Sequence, residues 1–202
     1  MKALHQFVVR FDKRYNNSVD VDGSELIINT EITERDAEYV NRVATVLATP
    51  TEYETPIKPG DQILLHHNVA RRWYDQRQAE KNTSNFIDDD HFVVYWDQVY
   101  AYKQDGVWKS YPRFIFVEPL FEATLWETIR EVPLKGIVAM DNHHDLDIGQ
   151  VVGFTPESEY EFRFEDKLYY RVFNHDISIL YYELRDGEKT HYQFSQESAE
   201  AT

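Results

Sequence analysis

The sequence predicts an all-β protein made of two tandem domains of the same kind. Three observations lead to this prediction. Short runs rich in valine, isoleucine, phenylalanine and tyrosine recur along the 202 residues, glycines and prolines separate them, and four runs reappear in the same order in the second half. Residues of these types suit a pleated, half-buried surface. The pattern favours a barrel or sandwich of short strands over a βαβ layout.

The predicted strands follow one another from Phe7 to Tyr182. In order they are Phe7–Phe11, Val43–Leu47, Gln62–Leu65, His91–Tyr102, Arg113–Val117, Gly136–Met140, Gln150–Phe154, Tyr160–Phe164, Leu168–Phe173 and Ile177–Tyr182. Turn-forming residues, such as Pro59-Gly60 and Asp105-Gly106, lie between them. Thr33–Val43 and Leu120–Val132 have apolar residues near helical spacing, so we interpret them as candidate helices that tertiary contacts could override.

Composition excludes several classes of protein. The chain has no cysteine, which rules out disulfides, thiolate metal sites and a cysteine nucleophile. Its 21 basic and 36 acidic residues give a net charge of −15, which opposes binding to nucleic acid or to anionic membrane surfaces. It has no apolar window long enough to span a membrane and no recognisable leader, so we expect a cytoplasmic protein.

An internal repeat divides the chain. Ile57–Leu65 matches Leu146–Phe154, with Gly60 and Gly149 aligned at an offset of 89. Three further matches flank this block: Phe7–Phe11 with Phe114–Glu118 at an offset of 107, Arg42–Ala48 with Lys135–Met140 at roughly 92, and Phe92–Val99 with Tyr170–Ile177 at 78. Falling offsets indicate shorter loops in the second copy. We therefore predict domains at residues 1–105 and 106–186, followed by a polar, disordered tail at 187–202.

The ordered blocks resemble the GroES-type co-chaperonin family in its tandem, two-domain form. The blocks that carry the resemblance are Leu4–Val9, a long polar loop at about residues 12–39, Arg42–Leu47, Ile57–Leu64 with its Lys-Pro-Gly-Asp turn, and Asp97–Ala101. The second half repeats the scheme more loosely and ends with Asp176–Leu180, so the resemblance covers about residues 4–182. It implies two tandem GroES-like β-barrel domains.

The resemblance also implies a function without catalysis. A co-chaperonin assembles as a ring-like homo-oligomer, caps a GroEL-type chaperonin ring and assists ATP-dependent protein folding, and it needs no cofactor of its own. In the family, a mobile loop docks an aliphatic tripeptide into an apolar groove of the chaperonin. The matching residues here are Leu26, Ile27 and Ile28. Each large aliphatic side chain would gain about 1.5–3 kcal/mol on burial in such a groove.

Two alternatives to the docking loop stay open. Leu26–Ile28 would be an ordinary barrel strand if the loop were part of the fold. The corresponding segment of the second copy, Pro119–Leu134, is short and has no polar loop around an aliphatic triplet, so the chain would offer one docking loop for two domains. The absence of a second docking loop would suit the alternative of a structural or assembly protein, such as a component of a virus particle, built from the same tandem β-domains.

Histidines and acids suggest a metal site as a further alternative. His66-His67, His143-His144 and the nearby Asp141, Asp145 and Asp147 are the candidates. None has a His-x-x-x-His spacing or the spacing of a calcium loop, so we interpret them as solvated loop residues and predict no metal. The chain also lacks Gly-x-Ser-x-Gly, Gly-x-Gly-x-x-Gly and Walker A motifs, and we predict no enzymatic activity.

Overall fold

The computed structural model describes residues 2–15, 18–21, 24–27, 39–123, 128–141, 146–165, 167–193 and 196. The protein is all-β, as the sequence predicts, and three single 3₁₀ turns at His67–Val69, Trp96–Gln98 and Asn174–Asp176 interrupt the strands. Within the described ranges, no helix has the length and apolar character needed to cross a membrane. The chain forms two compact units, Met1–Trp108 and Lys109–Thr202. The sequence-based boundary between residues 105 and 106 lies close to this division.

The first unit is built on a six-stranded sheet with two separate hairpins. Its strands are β1 (Phe7–Arg10), β2 (Ser18–Val21), β3 (Ser24–Ile27), β4 (Val43–Ala48), β5 (Gln62–Leu65), β6 (Arg72–Tyr74), β7 (Glu80–Asn82), β8 (Phe92–Val94), β9 (Val99–Gln104) and β10 (Val107–Ser110). The sheet order is β10-β9-β5-β4-β1-β8, while β2 pairs with β3 and β6 pairs with β7. The division between the two units falls inside β10.

The second unit is a seven-stranded sheet. Its strands are β11 (Phe114–Ala123), β12 (Ile129–Met140), β13 (Val151–Phe154), β14 (Tyr160–Phe164), β15 (Lys167–Phe173), β16 (Ile177–Tyr181) and β17 (Glu188–Thr190). The order is β14-β15-β11-β12-β13-β16, and β17 pairs with β11 beside this path. β11 and β12 are long because they continue past the sheet as a paired arm.

The same five-stranded sheet occurs in both units. The order β9-β5-β4-β1-β8 in the first unit corresponds to β16-β13-β12-β11-β15 in the second. The register matches as well as the order, since Val9 pairs with Val46 in the first unit and Val117 pairs with Val138 in the second. Each copy has a register shift directly before the valine of its first strand. The internal repeat seen in the sequence is therefore a repeat of topology and of register.

The register corrects one predicted offset. Phe7 pairs with Val94, and the equivalent pair in the second unit is Ile115 with Val172, so the first strands are related by an offset of 108 and not 107. Matching Phe7 to Phe114 by residue type placed the strand one residue out. A slip of one residue exchanges the two faces of a strand, so residue type alone could not settle the alignment. The offsets of 92, 89 and 78 agree with the pairing.

Two glycine turns start corresponding core strands. Gly60 precedes β5 with a φ of +97°, and Gly149 precedes β13 with a φ of +90°. The N–H of Gly60 donates to Val46 O at 2.8 Å, and the N–H of Gly149 donates to Val138 O at the same distance. A left-handed backbone conformation favours glycine because it has no Cβ. The turn predicted from the repeated glycine is thus formed twice.

Apolar residues of the repeated strands make the cores. In the first unit Phe7, Val9, Ile63, Leu65 and Val94 are fully buried. The second unit has a buried cluster of Ile115, Val117, Val138, Val152, Phe154, Tyr170 and Val172. Burial of alternate side chains on one face gives each sheet its inner side.

The strand order differs from the closed barrels expected from the sequence. Each main sheet has two ends, β10 and β8 in the first unit and β14 and β16 in the second, and among the described strands these ends do not pair with each other. A barrel requires its first and last strands to share hydrogen bonds. The all-β class is confirmed, but in the described residues the sheets are open.

Two predicted segments differ from the sequence-based interpretation. The candidate helix Leu120–Val132 is wrong, because Leu120–Ala123 belongs to β11 and Ile129–Val132 to β12, where pairing between strands overrides a short apolar periodicity. The candidate helix Thr33–Val43 lies mostly outside the described residues. In the tail predicted to be disordered, Glu188–Thr190 forms β17 against Leu120–Glu122. The polar composition of this segment does not predict a strand, because the strand depends on pairing with residues that are distant in the chain.

Candidate docking loop and its base

The structure places two of the three predicted docking residues in a short hairpin. Leu26 and Ile27 lie in β3, opposite Val19 and Ser18 of β2. The β2–β3 hairpin is not part of the six-stranded sheet in the described residues. Ile28 lies outside the described residues. Within the docking loop (residues 12–39), the described segments Ser18–Val21 and Ser24–Ile27 are therefore extended and paired with each other.

The two ends of the docking loop meet at a buried base. Tyr15 forms an antiparallel bridge with Val40, and their exposed fractions are 4% and 2%. The N–H of Asn41 donates to Arg14 O at 2.9 Å, and its side-chain amide donates to Lys13 O at 2.8 Å. The loop thus leaves and re-enters the domain at one closed point, formed by Arg14, Tyr15, Val40 and Asn41.

Arg14 joins this base to the segment that follows β5. Its guanidinium donates to Ala70 O at 3.1 and 3.2 Å and to Asn82 Oδ1 at 2.6 Å. It also lies 5.2 Å from the ring centroid of Phe86 and 5.3 Å from that of Phe92. Burial lowers the pKa of Arg14 from its ordinary value, and the nearby positive charge of Arg72 acts in the same direction. The planar guanidinium of Arg14, which donates to several acceptors, therefore fixes the position of the chain where the loop begins.

Tyr15 connects the base of the loop to the β6–β7 hairpin through contacts with Arg72. Its hydroxyl accepts a hydrogen bond from the N–H of Arg72 at 3.0 Å and donates to Arg72 O at 3.3 Å. The Arg72 guanidinium lies 5.6 Å from the Tyr15 ring centroid. Arg72 and Arg14 both contact Glu80, at 3.4 and 3.7 Å. The docking loop and the β6–β7 hairpin are therefore connected through a shared network.

The corresponding position of the second unit holds a paired arm. β11 and β12 continue their pairing at Phe121–Glu131, Glu122–Arg130 and Ala123–Ile129. The Arg130 guanidinium forms an ion pair with the Glu122 carboxylate, and β17 adds a third strand beside Leu120–Glu122. Residues 124–127 lie outside the described residues. The two units therefore share a sheet but differ in what joins their first two repeated strands.

The candidate metal ligands do not converge in the described residues. The imidazoles of His66 and His67 stack at 4.3 Å, and His66 Nδ1 accepts a hydrogen bond from the N–H of Asn68. The run Asp88-Asp89-Asp90-His91 is a further acidic cluster of the sequence, and there the Asp88 carboxylate accepts a hydrogen bond from His91 at 2.8 Å. Across the ranges that the structure describes, no three His, Asp or Glu side chains are grouped to hold a metal ion. His143, His144 and Asp145 lie outside these ranges.

The sequence allows the aromatic pair Trp73-Tyr74 to be a ligand platform, but in an all-β chain such pairs are more often core or cross-strand pairs. The structure leaves both side chains 46% exposed, and Trp73 lines a cleft. Sequence reasoning missed the outer edge of β16, where Ile179 and Leu180 are about half exposed. Compared with known proteins, the chain matches no family model and has no significant match among curated proteins.

Proposed function

We propose that the chain is a co-chaperonin that docks on a GroEL-type chaperonin through its loop at residues 12–39. The observation that carries this proposal is the base formed by Tyr15, Val40 and Arg14, which closes the loop that contains the self-paired strands β2 and β3. A loop held at its base but not built into the main sheet suits reversible docking. Weak contacts from several loops add up to useful avidity and still allow release.

The proposal assigns Leu26, Ile27 and Ile28 to the chaperonin contact. It treats the two units as tandem GroES-like domains, supported by their shared strand order and register. Only the first unit would dock, because the second has the β11–β12 arm in place of the loop. The proposed role includes no catalytic step and no cofactor, and a chaperonin partner would place the chain in the cytoplasm.

Self-association into a ring-like homo-oligomer is part of the proposal. The last repeated strand of the first unit, β9, is covered by β10, whereas its equivalent β16 is the outermost strand of its sheet in the described residues. β16 carries no charged side chain, and Ile179 and Leu180 are 49% and 52% exposed. An open, uncharged edge is a template for pairing with another chain.

Binding to a chaperonin tests the main proposal. The full-length chain should sediment with a GroEL-type chaperonin in the presence of ATP, and Ile27→Asp should weaken binding by about 2 kcal/mol per loop because the groove would desolvate a charge. Ile148→Asp is the matched control, since Ile148 is 62% exposed in the second unit. Both variants should melt within about 1 °C of the parent if the changes are confined to the surface.

Three outcomes would reject the proposal. The first is no binding of the parent chain at micromolar concentration, and the second is equal loss of binding in both variants. The third is unfolding of Ile27→Asp, which would make the tripeptide a structural strand. A structural or assembly protein is the second candidate, favoured by the open β16 edge, and it predicts self-association without chaperonin binding.

A further inference from the structure

A polar cleft lies in the first unit, between the β6–β7 hairpin and the 3₁₀ turn at Trp96–Gln98. Its volume is about 530 Å³, within the range of small-molecule sites. The side chains that matter here are those of Asn68, Trp73, Thr83, Ser84, Asn85 and Gln98. They combine one indole with three carboxamides and two hydroxyls.

The inner wall of the cleft is held rigidly by hydrogen bonds. Asn85 is only 3% exposed, and its amide donates to Val93 O and to Gln98 Oε1, both at 2.7 Å. Gln98 Oε1 also accepts from the N–H of Tyr95 at 3.0 Å. Such locked carboxamides keep a binding surface in one conformation, which lowers the entropy lost when a ligand binds.

The outer part of the cleft offers groups that are available to a ligand. Trp73 is 46% exposed, although a large indole is usually buried. Within the described part of the chain, no hydrogen bond engages the side chains of Asn68 and Ser84. An exposed flat ring beside unused donors and acceptors is a surface that can both stack and hydrogen-bond.

The charged residues that line the cleft indicate which net charge a ligand should have. Among the described residues that line the cleft, Arg71 is the only charged one and none is a carboxylate, although the chain carries 36 acidic residues. A cationic ligand would therefore find no oppositely charged side chain among these lining residues. The net charge of −15 opposes polyanionic ligands such as nucleic acids. A neutral ligand rich in hydroxyl groups matches the carboxamides and hydroxyls that make up most of the polar lining.

We propose that this cleft binds a neutral carbohydrate. The apolar face of a pyranose ring would stack on the indole of Trp73, and its hydroxyls would exchange hydrogen bonds with Asn68 and Ser84. Carboxamides and hydroxyls both donate and accept, which matches the mixed character of sugar hydroxyls. This function is separate from chaperonin docking and does not depend on it.

The placement of the cleft in one unit supports a separate function. The segment that joins β5 to β8 spans residues 66–91 and supplies most of the cleft lining. The equivalent segment of the second unit spans residues 155–166 and contains only β14. The repeated sheet therefore forms without this insertion, so the insertion is not needed to complete the sheet.

Calorimetric titration of the full-length chain with maltotriose, cellotriose and chitotriose tests the proposal. At least one of the three should bind, and Trp73→Ala should weaken that binding at least tenfold. Tyr74→Ala is the matched control, because Tyr74 is also 46% exposed and points to the other face of the same strand. It should leave the Kd unchanged.

A second variant keeps the test independent of the aromatic ring. Ser84→Ala removes one hydroxyl and should weaken binding several-fold with no change in thermal melting. The proposal is overturned if no trisaccharide binds at about 10 mM, well above the Kd expected of a weak sugar site. It is also overturned if both aromatic variants bind equally, or if adenosine binds and the sugars do not. A failure of chaperonin docking would leave this result unaffected.

Discussion

The ion pair between Lys135 and Glu188 is the most heavily buried charge contact of the second unit among the described residues. Their side chains are 6% and 1% exposed, and Lys135 Nζ donates to Glu188 Oε2 at 2.5 Å. The same oxygen accepts from the N–H of Arg185 at 2.9 Å. In the first unit the equivalent of Lys135 is the apolar Val43. The second unit therefore has a charge at this position, which Glu188 of the C-terminal segment neutralises.

Replacing Glu188 should lower the free energy of unfolding, because the buried ammonium of Lys135 would lose its counter-charge. Burial raises the pKa of Glu188, but the hydrogen bonds from Lys135 and from Arg185 N–H outweigh it and hold the pKa below its usual value. A depressed carboxyl pKa adds stability that is complete above the unfolded value of about 4.3 and is lost as the pH falls below it. Glu188→Gln should destabilise the chain by about 3–5 kcal/mol at pH 7 and remove this acid dependence.

Urea unfolding at a series of pH values from neutral to acidic measures both effects. Glu183→Gln is the control, because Glu183 is exposed and should change the free energy of unfolding by less than about 0.5 kcal/mol. Lys135→Met combined with Glu188→Gln should recover much of the loss, since it removes the unpaired charge. Equal stability of Glu188→Gln and the parent would show that the pair is not structural.

Among the elements, the two glycine turns are the most closely matched parts of the repeat. A Cβ at Gly60 or at Gly149 would meet no atom within 4 Å, so space does not restrict either position. The left-handed backbone does restrict them, because this conformation costs residues other than glycine about 1–2 kcal/mol. Gly60→Ala and Gly149→Ala should therefore each destabilise the chain by about that amount, measured by urea unfolding. Since the turns lie in different units, the double variant should show the sum.

The opposite result at either turn would have a clear meaning. If the free energy of unfolding falls by well over about 2 kcal/mol, the alanine must disturb a contact in addition to the left-handed backbone of the turn. No loss would mean that the turn can adopt another conformation when glycine is absent, and the repeat would then not depend on it.

The elements that sequence reasoning found are those with dense apolar runs. β4, β5, β11, β13 and β15 are examples, because burial of valine, isoleucine and aromatic side chains both causes and marks a strand. The polar elements were missed. β6–β7 depends on Arg14 and Tyr15, and β17 depends on Lys135, so the contacts that hold them come from distant parts of the chain.

At the scale of the whole molecule, the repeat was largely readable from the sequence. Blocks around Gly60 and Gly149 identified the duplication, and only the first strand was placed one residue out. The candidate site was readable in a more limited way. Leu26 and Ile27 stood out as aliphatic residues in a polar loop, whereas Tyr15 and Val40 closed the base through a bridge that no local pattern announces.

The self-association proposed above concerns the whole molecule, and a charge on the β16 edge should prevent it. Ile179→Lys places an ammonium on the open edge, the device by which natural sheets avoid pairing with other chains. The parent should sediment as a homo-oligomer and Ile179→Lys as a single chain. Ile148→Lys, an exposed position outside any strand, should behave as the parent does. Both variants should keep the parent's stability within about 0.5 kcal/mol because a lysine stem tolerates half-exposed sites. If the parent sediments as a single chain at micromolar concentration, the proposed ring-like homo-oligomer is refuted. The proposed docking through Ile27 is tested independently by the binding experiment.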